Sequence, residues 1–139
     1  MRDEEGAAGL GDLLMGFART QRRRWHATLA PWELSPHQAR ALRVVCLHDG
    51  VRLSELADVL RIAPRSATEV ADALQERGLV ERSADPADRR AVLLRPTPEG
   101  RRVQAQVDAA RAADSEELFA RLSAEDRATL ARILRALVD

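Results

Sequence analysis

The stretch "RSADPADRRAVLLRP", residues 82–96, gathers Asp85, Asp88, Arg89 and Arg90 around Pro86 and passes at once into Val92, Leu93 and Leu94. Two acids and two arginines on one tight turn allow two kinds of chemistry. An arginine offers a planar fork of donors that matches a phosphate or a base edge, and it keeps its charge at any physiological pH. Asp85 or Asp88 can hold such a guanidinium and pre-orient it, or simply neutralise it in a surface pair worth about 0–1 kcal/mol. A second polar group, Arg65, Ser66, Thr68 and Glu69, is packed into "PRSATEV". A third, Arg22, Arg23 and Arg24, continues from Arg19 and reads as a solvated helix face or a phosphate-binding stripe. Trp25, His26, Trp32 and His37 form a fourth. Core and interface packing is the first reading of such a group; aromatic walls with a polar handle also suit an aromatic acid in a pocket.

Catalytic chemistry finds no such foothold. His26, His37 and His48 have no cysteine or carboxylate at metal-ligand spacing, and no phosphate loop or nucleophile motif is present. The reading is therefore no enzyme, no catalytic residue, no metal and no cofactor. Cys46 is the lone cysteine, so no intramolecular disulfide forms; on an inward helical stripe it acts as a small apolar residue. All 22 basic residues are arginine, and 22 acids balance them to a net charge of zero. Global charge thus announces neither nucleic acid nor membrane, and the local distribution has to decide. At 139 residues and 45% hydrophobic, the chain supports one domain with a real core, which Leu, Val and Ala must fill because aromatics are only 3%. No apolar run is long enough to span a bilayer and no charged-then-apolar leader opens the sequence, which predicts a soluble cytoplasmic protein with no membrane partner.

The elements that must position these residues follow from period and punctuation. Residues 1–8 carry no periodic pattern and read as a loose terminus. Leu10, Leu13, Leu14 and Phe17 fall at helical spacing, and the helix runs on to Pro31. Ser35 is an N-cap with Pro36 at the first helical position; Ala39, Leu42, Val45 and Cys46 face inward, and Gly50 ends that helix. "VRLSELADVLRI" holds a strand-like pair and then a short helix, with Ser54 as its cap and Leu56, Ala57 and Leu60 buried. Pro64 opens the next helix, Ala67, Val70, Ala71 and Leu74 face in, and Gly78 closes it. "LVERSA" and "AVLLRP" are short β-type runs around the charged turn and read as a hairpin. Thr97 caps a long helix with Pro98 first and Glu99 in its first turn, and Ser123 with Asp126 opens the last one.

Helix, short helix, helix and hairpin is the order of a winged helix-turn-helix. The fold class is mainly α with a small β-hairpin wing (α+β), flanked by N- and C-terminal dimerisation helices. Only "RIA" joins the helices at 53–60 and 64–77, which sets them at a steep angle and frees the second to enter a groove. The hairpin at 79–95 is the wing, and an arginine on it reaches the adjacent minor groove, where the negative potential attracts it. The chain 1–139 reads as one regulator unit, with a DNA-binding region at about 35–96 and dimerisation helices at 9–30 and 97–138.

Gly78-Leu79-Val80, then Asp85-Pro86-Ala87-Asp88-Arg89-Arg90, then Thr97-Pro98-Glu99-Gly100 resemble the DNA-binding region of the MarR family of bacterial transcription regulators. The order of flanking helices extends the resemblance from about residue 10 to 138. It implies a homodimer with intertwined terminal helices, bound to a pseudo-palindromic double-stranded DNA operator. It implies a repressor that is often released by a small aromatic or lipophilic effector, or by oxidation. The resemblance places Arg65, Ser66 and Thr68 at base- and phosphate-contacting positions, Arg90 at the wing arginine and Asp88 as its partner. Three residues depart from the family pattern. Ala63 stands where Ser or Thr is frequent, Glu69 where a basic or neutral residue is common, and Pro96 where leucine is usual. An acid at 69 repels phosphate unless it accepts from a cytosine amino group. The competing reading is a dimeric helical protein-interaction module that has lost DNA binding; Glu69 and the neutral net charge favour it, and the wing arginines with Ser66 and Thr68 oppose it.

Overall fold

The computed structural model of the chain describes the backbone of residues 2–138 and the side chains of residues 9–138. In chain order the elements are α1 (Arg2–Leu29), a 3-10 turn (Ala30–Trp32), α2 (Pro36–His48), β1 (Val51–Arg52), α3 (Leu53–Leu60), α4 (Pro64–Glu76), β2 (Val80–Asp85), β3 (Asp88–Pro96), α5 (Pro98–Phe119) and α6 (Ala124–Val138). This is the expected helical fold with a small antiparallel sheet, in strand order β1-β3-β2.

Local chemistry sets most of the boundaries. The Ser35 hydroxyl accepts from the Gln38 N–H at 3.1 Å, and the Gln38 amide oxygen accepts from the Ser35 N–H at 3.1 Å, a reciprocal capping box. Thr97 accepts from the Gly100 N–H at 3.0 Å, and Ser123 from the Asp126 N–H at 3.1 Å. Two expectations fail. The backbone is helical from Arg2, so residues 2–8 are not the expected loose terminus; Met1 lies outside the described residues. Once a helix is nucleated, each further residue adds a hydrogen bond at little cost, and Ala, Glu and Arg are good formers. Ser54 does not cap α3, which starts one residue earlier from an Arg52 cap position with no side-chain cap bond. The pairing of Arg52 with Leu93 keeps the chain extended up to Arg52, and the helix begins at once after it.

The core lies among α2, α3, α4, the sheet and the start of α5, with Leu29, Leu42, Val45, Leu56, Leu74, Val80 and Leu94 fully buried. Cys46 is half-buried against this cluster, and burial pushes its thiol above the ordinary value. α5 comes very close to the end of the loop before β2: a Cβ on Gly100 would sit 1.9 Å from the Leu79 carbonyl oxygen. That same carbonyl accepts from the Thr97 N–H at 3.1 Å, and the Thr97 hydroxyl donates to the Gly78 carbonyl at 2.6 Å. The Thr-Pro-Glu-Gly turn is thus a cap and a close-packing point in one. The turn between α3 and α4 contains Arg61 at φ 55°, a left-handed position that caps α3.

α1, the distal part of α5, and α6 bury little among themselves. Leu10, Leu13, Leu14, Met15, Phe17, Ile133, Leu134, Leu137 and Val138 all remain exposed in the single chain. Among the described residues, no helix is long and apolar enough to cross a membrane.

Candidate nucleic-acid interface

The second helix of the helix-turn-helix, α4, is built for one buried and one open face. Ala67, Ala71 and Leu74 are buried, at the spacing of a single stripe. Arg65, Thr68, Glu69 and Asp72 stand on the open side. Ser66 is half-buried and lines an open groove of about 410 Å³ with Ser35, His37, Gln38, Ile62, Glu69 and Val70. The Thr68 hydroxyl donates to the Pro64 carbonyl at 3.1 Å, which leaves its lone pairs for an incoming donor. Ala63 makes no side-chain cap bond, so the first N–H groups of α4 have no side-chain partner.

The wing stands beside this helix. β2 and β3 pair antiparallel from Val80 with Pro96 to Ala84 with Val92, and an irregularity at Ala84/Asp85 shifts the register before the turn. Two clasps hold it. On one side Arg82, half-buried on β2, donates to Asp72 at 2.5 Å and to the Gln75 amide oxygen, both on α4. On the other, Arg52 donates to Asp85 Oδ2 through Nη2 at 2.6 Å and Nε at 2.9 Å. The other Asp85 oxygen accepts from the Ala87 N–H at 2.9 Å. That backbone bond, then the Arg52 hydrogen bond, holds the Asp85 carboxyl below its ordinary value.

The charged turn therefore separates into two parts. Asp85 is buried and committed to Arg52, not to the neighbouring arginines. Arg89 and Arg90 are exposed, and among the described residues neither makes an ion pair. Asp88 does not hold the Arg90 guanidinium; its Oδ1 accepts from the Arg90 backbone N–H at 3.0 Å, which braces the turn from within. Arg52, Arg82, Asp72 and Gln75 carry this arrangement and were not singled out in the sequence, where their partners are too distant to be paired by pattern.

The four residues expected around an effector do not line one cavity. Trp25 lies in a cleft of about 290 Å³ between α1 and α5 with Gln21, Arg22, Thr28, Arg111, Asp114 and Ser115. The Arg111 guanidinium carbon stands 4.9 Å from the Trp25 ring centre. Trp32 donates from Nε1 to the Gln106 amide oxygen at 3.0 Å. His37 belongs to the α2–α4 groove, and His26 is exposed. Of the arginine run, Arg24 is tied to Asp114 of α5 at 2.8 Å, Arg23 donates to the Thr20 hydroxyl at 3.2 Å, and Arg22 lines the cleft.

The sequence pattern of the MarR family matches residues 34–92, the span from the cap of α2 into the wing. That span is a MarR-family domain. A relative from Thauera aromatica, described as a putative transcriptional regulatory protein for the hcr operon, is 33% identical over 96 residues. That match takes in 69% of this chain and 58% of the relative, so the chain spans little more than half of that protein's length. The HTH-type regulator YsmB of Bacillus subtilis is 27% identical over 133 residues, 96% of this chain and 91% of that one. Among solved structures, a MarR-family protein from Bacillus stearothermophilus superimposes with TM-score 0.86 at 26% identity, covering 96% of this chain and 94% of that chain. A mutant MarR from E. coli complexed with operator DNA superimposes with TM-score 0.79 at 26% identity, covering 94% of each chain. In this chain, then, α3 and α4 are the helix-turn-helix, β2 and β3 the wing, and the fold is a winged helix-turn-helix as the element order predicts.

Proposed function

We propose that two copies of this chain pair through α1, α5 and α6 and bind a pseudo-palindromic double-stranded DNA operator, repressing transcription. The observation that carries this reading is the doubly clasped wing. Arg82 fixes β2 to α4, Arg52 fixes the turn to the start of α3, and the arrangement leaves Arg89 and Arg90 unspent at the tip. A rigid wing with free arginines, beside a helix with Arg65, Ser66 and Thr68 toward its N-terminus, is the equipment for one major and one minor groove. The uncapped N–H groups of Arg65 and Ser66 suit a phosphate oxygen. The open apolar stripes of α1 and α6 support pairing, because an isologous dimer covers both at once. The DNA-binding unit is residues 35–96, with 9–30 and 97–138 as dimerisation helices.

An effector of this regulator is a small aromatic or lipophilic molecule. The Trp25 cleft, with Arg22 and Arg111 on its wall, suits an aromatic carboxylate. The working location is the cytoplasm, where the operator is, and the protein acts by binding without catalysis.

Fluorescence anisotropy against DNA from upstream of its own coding sequence tests the reading. Binding is expected to be sequence-selective, with half-sites about 10 bp apart, one turn of the duplex. Log affinity is expected to fall with log salt by about 0.9 for each phosphate contact. Affinity indifferent to sequence and to salt would mean that the dimer is an interaction module only.

A further inference from the structure

We propose that Glu69 is a specificity-determining residue that reads a cytosine in each half-site; this rests on the DNA-binding reading above. The exposed face of α4 holds three groups that bear on it: Arg65, Glu69 and Asp72. Asp72 is already neutralised by Arg82 of the wing at 2.5 Å. Glu69 is different. Its side chain is 71% exposed, and its nearest cation is Arg65 at 3.9 Å, too far for a hydrogen bond. It lies one turn beyond Arg65 and lines the open groove that also holds Ser66 and His37; among the described residues it accepts no side-chain hydrogen bond.

An uncommitted carboxylate on the groove-facing side of a recognition helix is a liability against most of what a duplex offers. Phosphate oxygens repel it. Guanine N7 and O6 and thymine O4 are acceptors and leave it unpaired and desolvated. The cytosine N4 amino group is a donor at the groove edge, and a carboxylate accepts from it directly. Adenine also shows a donor, but an acceptor at N7 stands beside it, where a carboxylate is opposed. Arg65, one turn away on the same face, carries the complementary preference for guanine or for a backbone phosphate. The pair thus converts a weakly charged helix face into a selective one, since selectivity comes as much from rejecting wrong bases as from holding the right one.

Selection from a random DNA pool with wild type, Glu69→Gln and Glu69→Ala tests this. Circular dichroism establishes that the exposed substitutions leave the fold intact. Wild type is expected to enrich cytosine at one symmetric position per half-site, by roughly 5- to 150-fold over other bases. Glu69→Ala is expected to lose that preference alone and keep the rest of the selected site. An unchanged preference in Glu69→Ala overturns the proposal, as does a variant that binds every sequence more tightly by the same factor, the mark of mere repulsion. A Glu69-dependent position that selects another base overturns it as well. A wild-type pool with no enriched sequence overturns the DNA-binding reading itself, and this inference with it.

Discussion

Arg52 and Asp85, 33 residues apart, meet through two hydrogen bonds at the turn of the wing. Arg52 is the last extended residue before α3, so the pair welds the wing's turn to the first helix of the helix-turn-helix. The Asp85 side chain is only 10% exposed, against 37% for Arg52. Removing the arginine leaves a carboxylate in a poorly hydrated place, whereas replacing the acid by asparagine keeps an acceptor for the Ala87 N–H. Arg52→Ala is therefore expected to lower the thermal midpoint more than Asp85→Asn, and both to weaken operator binding by loosening the wing. Equal midpoints for both variants and wild type would show that the clasp has no structural weight.

The same pair carries a pH signature. The Asp85 carboxyl is held below its ordinary 3.8 by the Ala87 N–H and Arg52, so its folded form binds a proton less readily than its unfolded form. Its contribution to stability is complete above about 3.8 and is lost as pH falls through the lower folded value. Glu99 behaves in the same direction, through its hydrogen bonds from Arg102. Urea midpoints of wild type and Asp85→Asn are expected to differ by a constant amount near neutrality and to converge in strong acid. A gap that widens on acidification contradicts the clasp.

Arg90→Ala is expected to weaken operator binding by about 1–3 kcal/mol, the scale of one good DNA contact, with little change in thermal midpoint. Asp88→Ala is expected to cost less, because its carboxylate braces the Arg90 backbone N–H and leaves the guanidinium untouched. Anisotropy and thermal melts on the two variants decide. Normal binding by Arg90→Ala together with a lowered midpoint would make the arginine a structural group.

Two backbone positions make opposite predictions. Gly100→Ala drives a methyl group into the Leu79 carbonyl, which is backbone and cannot swing aside; a loss of about 1–3 kcal/mol or more is expected in urea unfolding. Arg61, at φ 55°, occupies a conformation that costs a side-chain-bearing residue about 1–2 kcal/mol. Arg61→Gly removes that strain and adds freedom to the unfolded chain, so a net gain of roughly 0.5–1 kcal/mol is expected. A destabilised Arg61→Gly would mean that the guanidinium does something its exposure does not reveal.

Pairing is tested at the exposed apolar stripe. Leu13, on α1, is 71% exposed in the single chain, and Leu137, on α6, is 67% exposed. Leu13→Arg and Leu137→Arg are expected to shift the sedimentation coefficient at micromolar concentration from dimer to monomer and to abolish tight operator binding. Retention of the dimer by both would locate the pairing surface elsewhere.

The features legible in the sequence are those whose cause lies within a few residues. Ser35 with Gln38, and Thr97 with Gly100, satisfy helix ends from three residues away, so type and spacing alone predict them. The 3.6-residue stripes of α2 and α4, and the hairpin punctuated by Pro86, are equally local, and they suffice for the winged helix-turn-helix order. The charged turn was legible as a cluster but not as a circuit. Which of Asp85, Asp88, Arg89 and Arg90 bind one another is a matter of direction and burial, and direction came from the β1–β3 pairing that delivers Arg52 to Asp85. The use of Asp72 by Arg82, which leaves Glu69 with only the distant Arg65 on its own helix, was decided by the same tertiary approach of strand to helix. Sequence periodicity records which face of an element is apolar; only packing decides which distant charge a side chain meets, because an ion pair of this kind has no period and no fixed spacing.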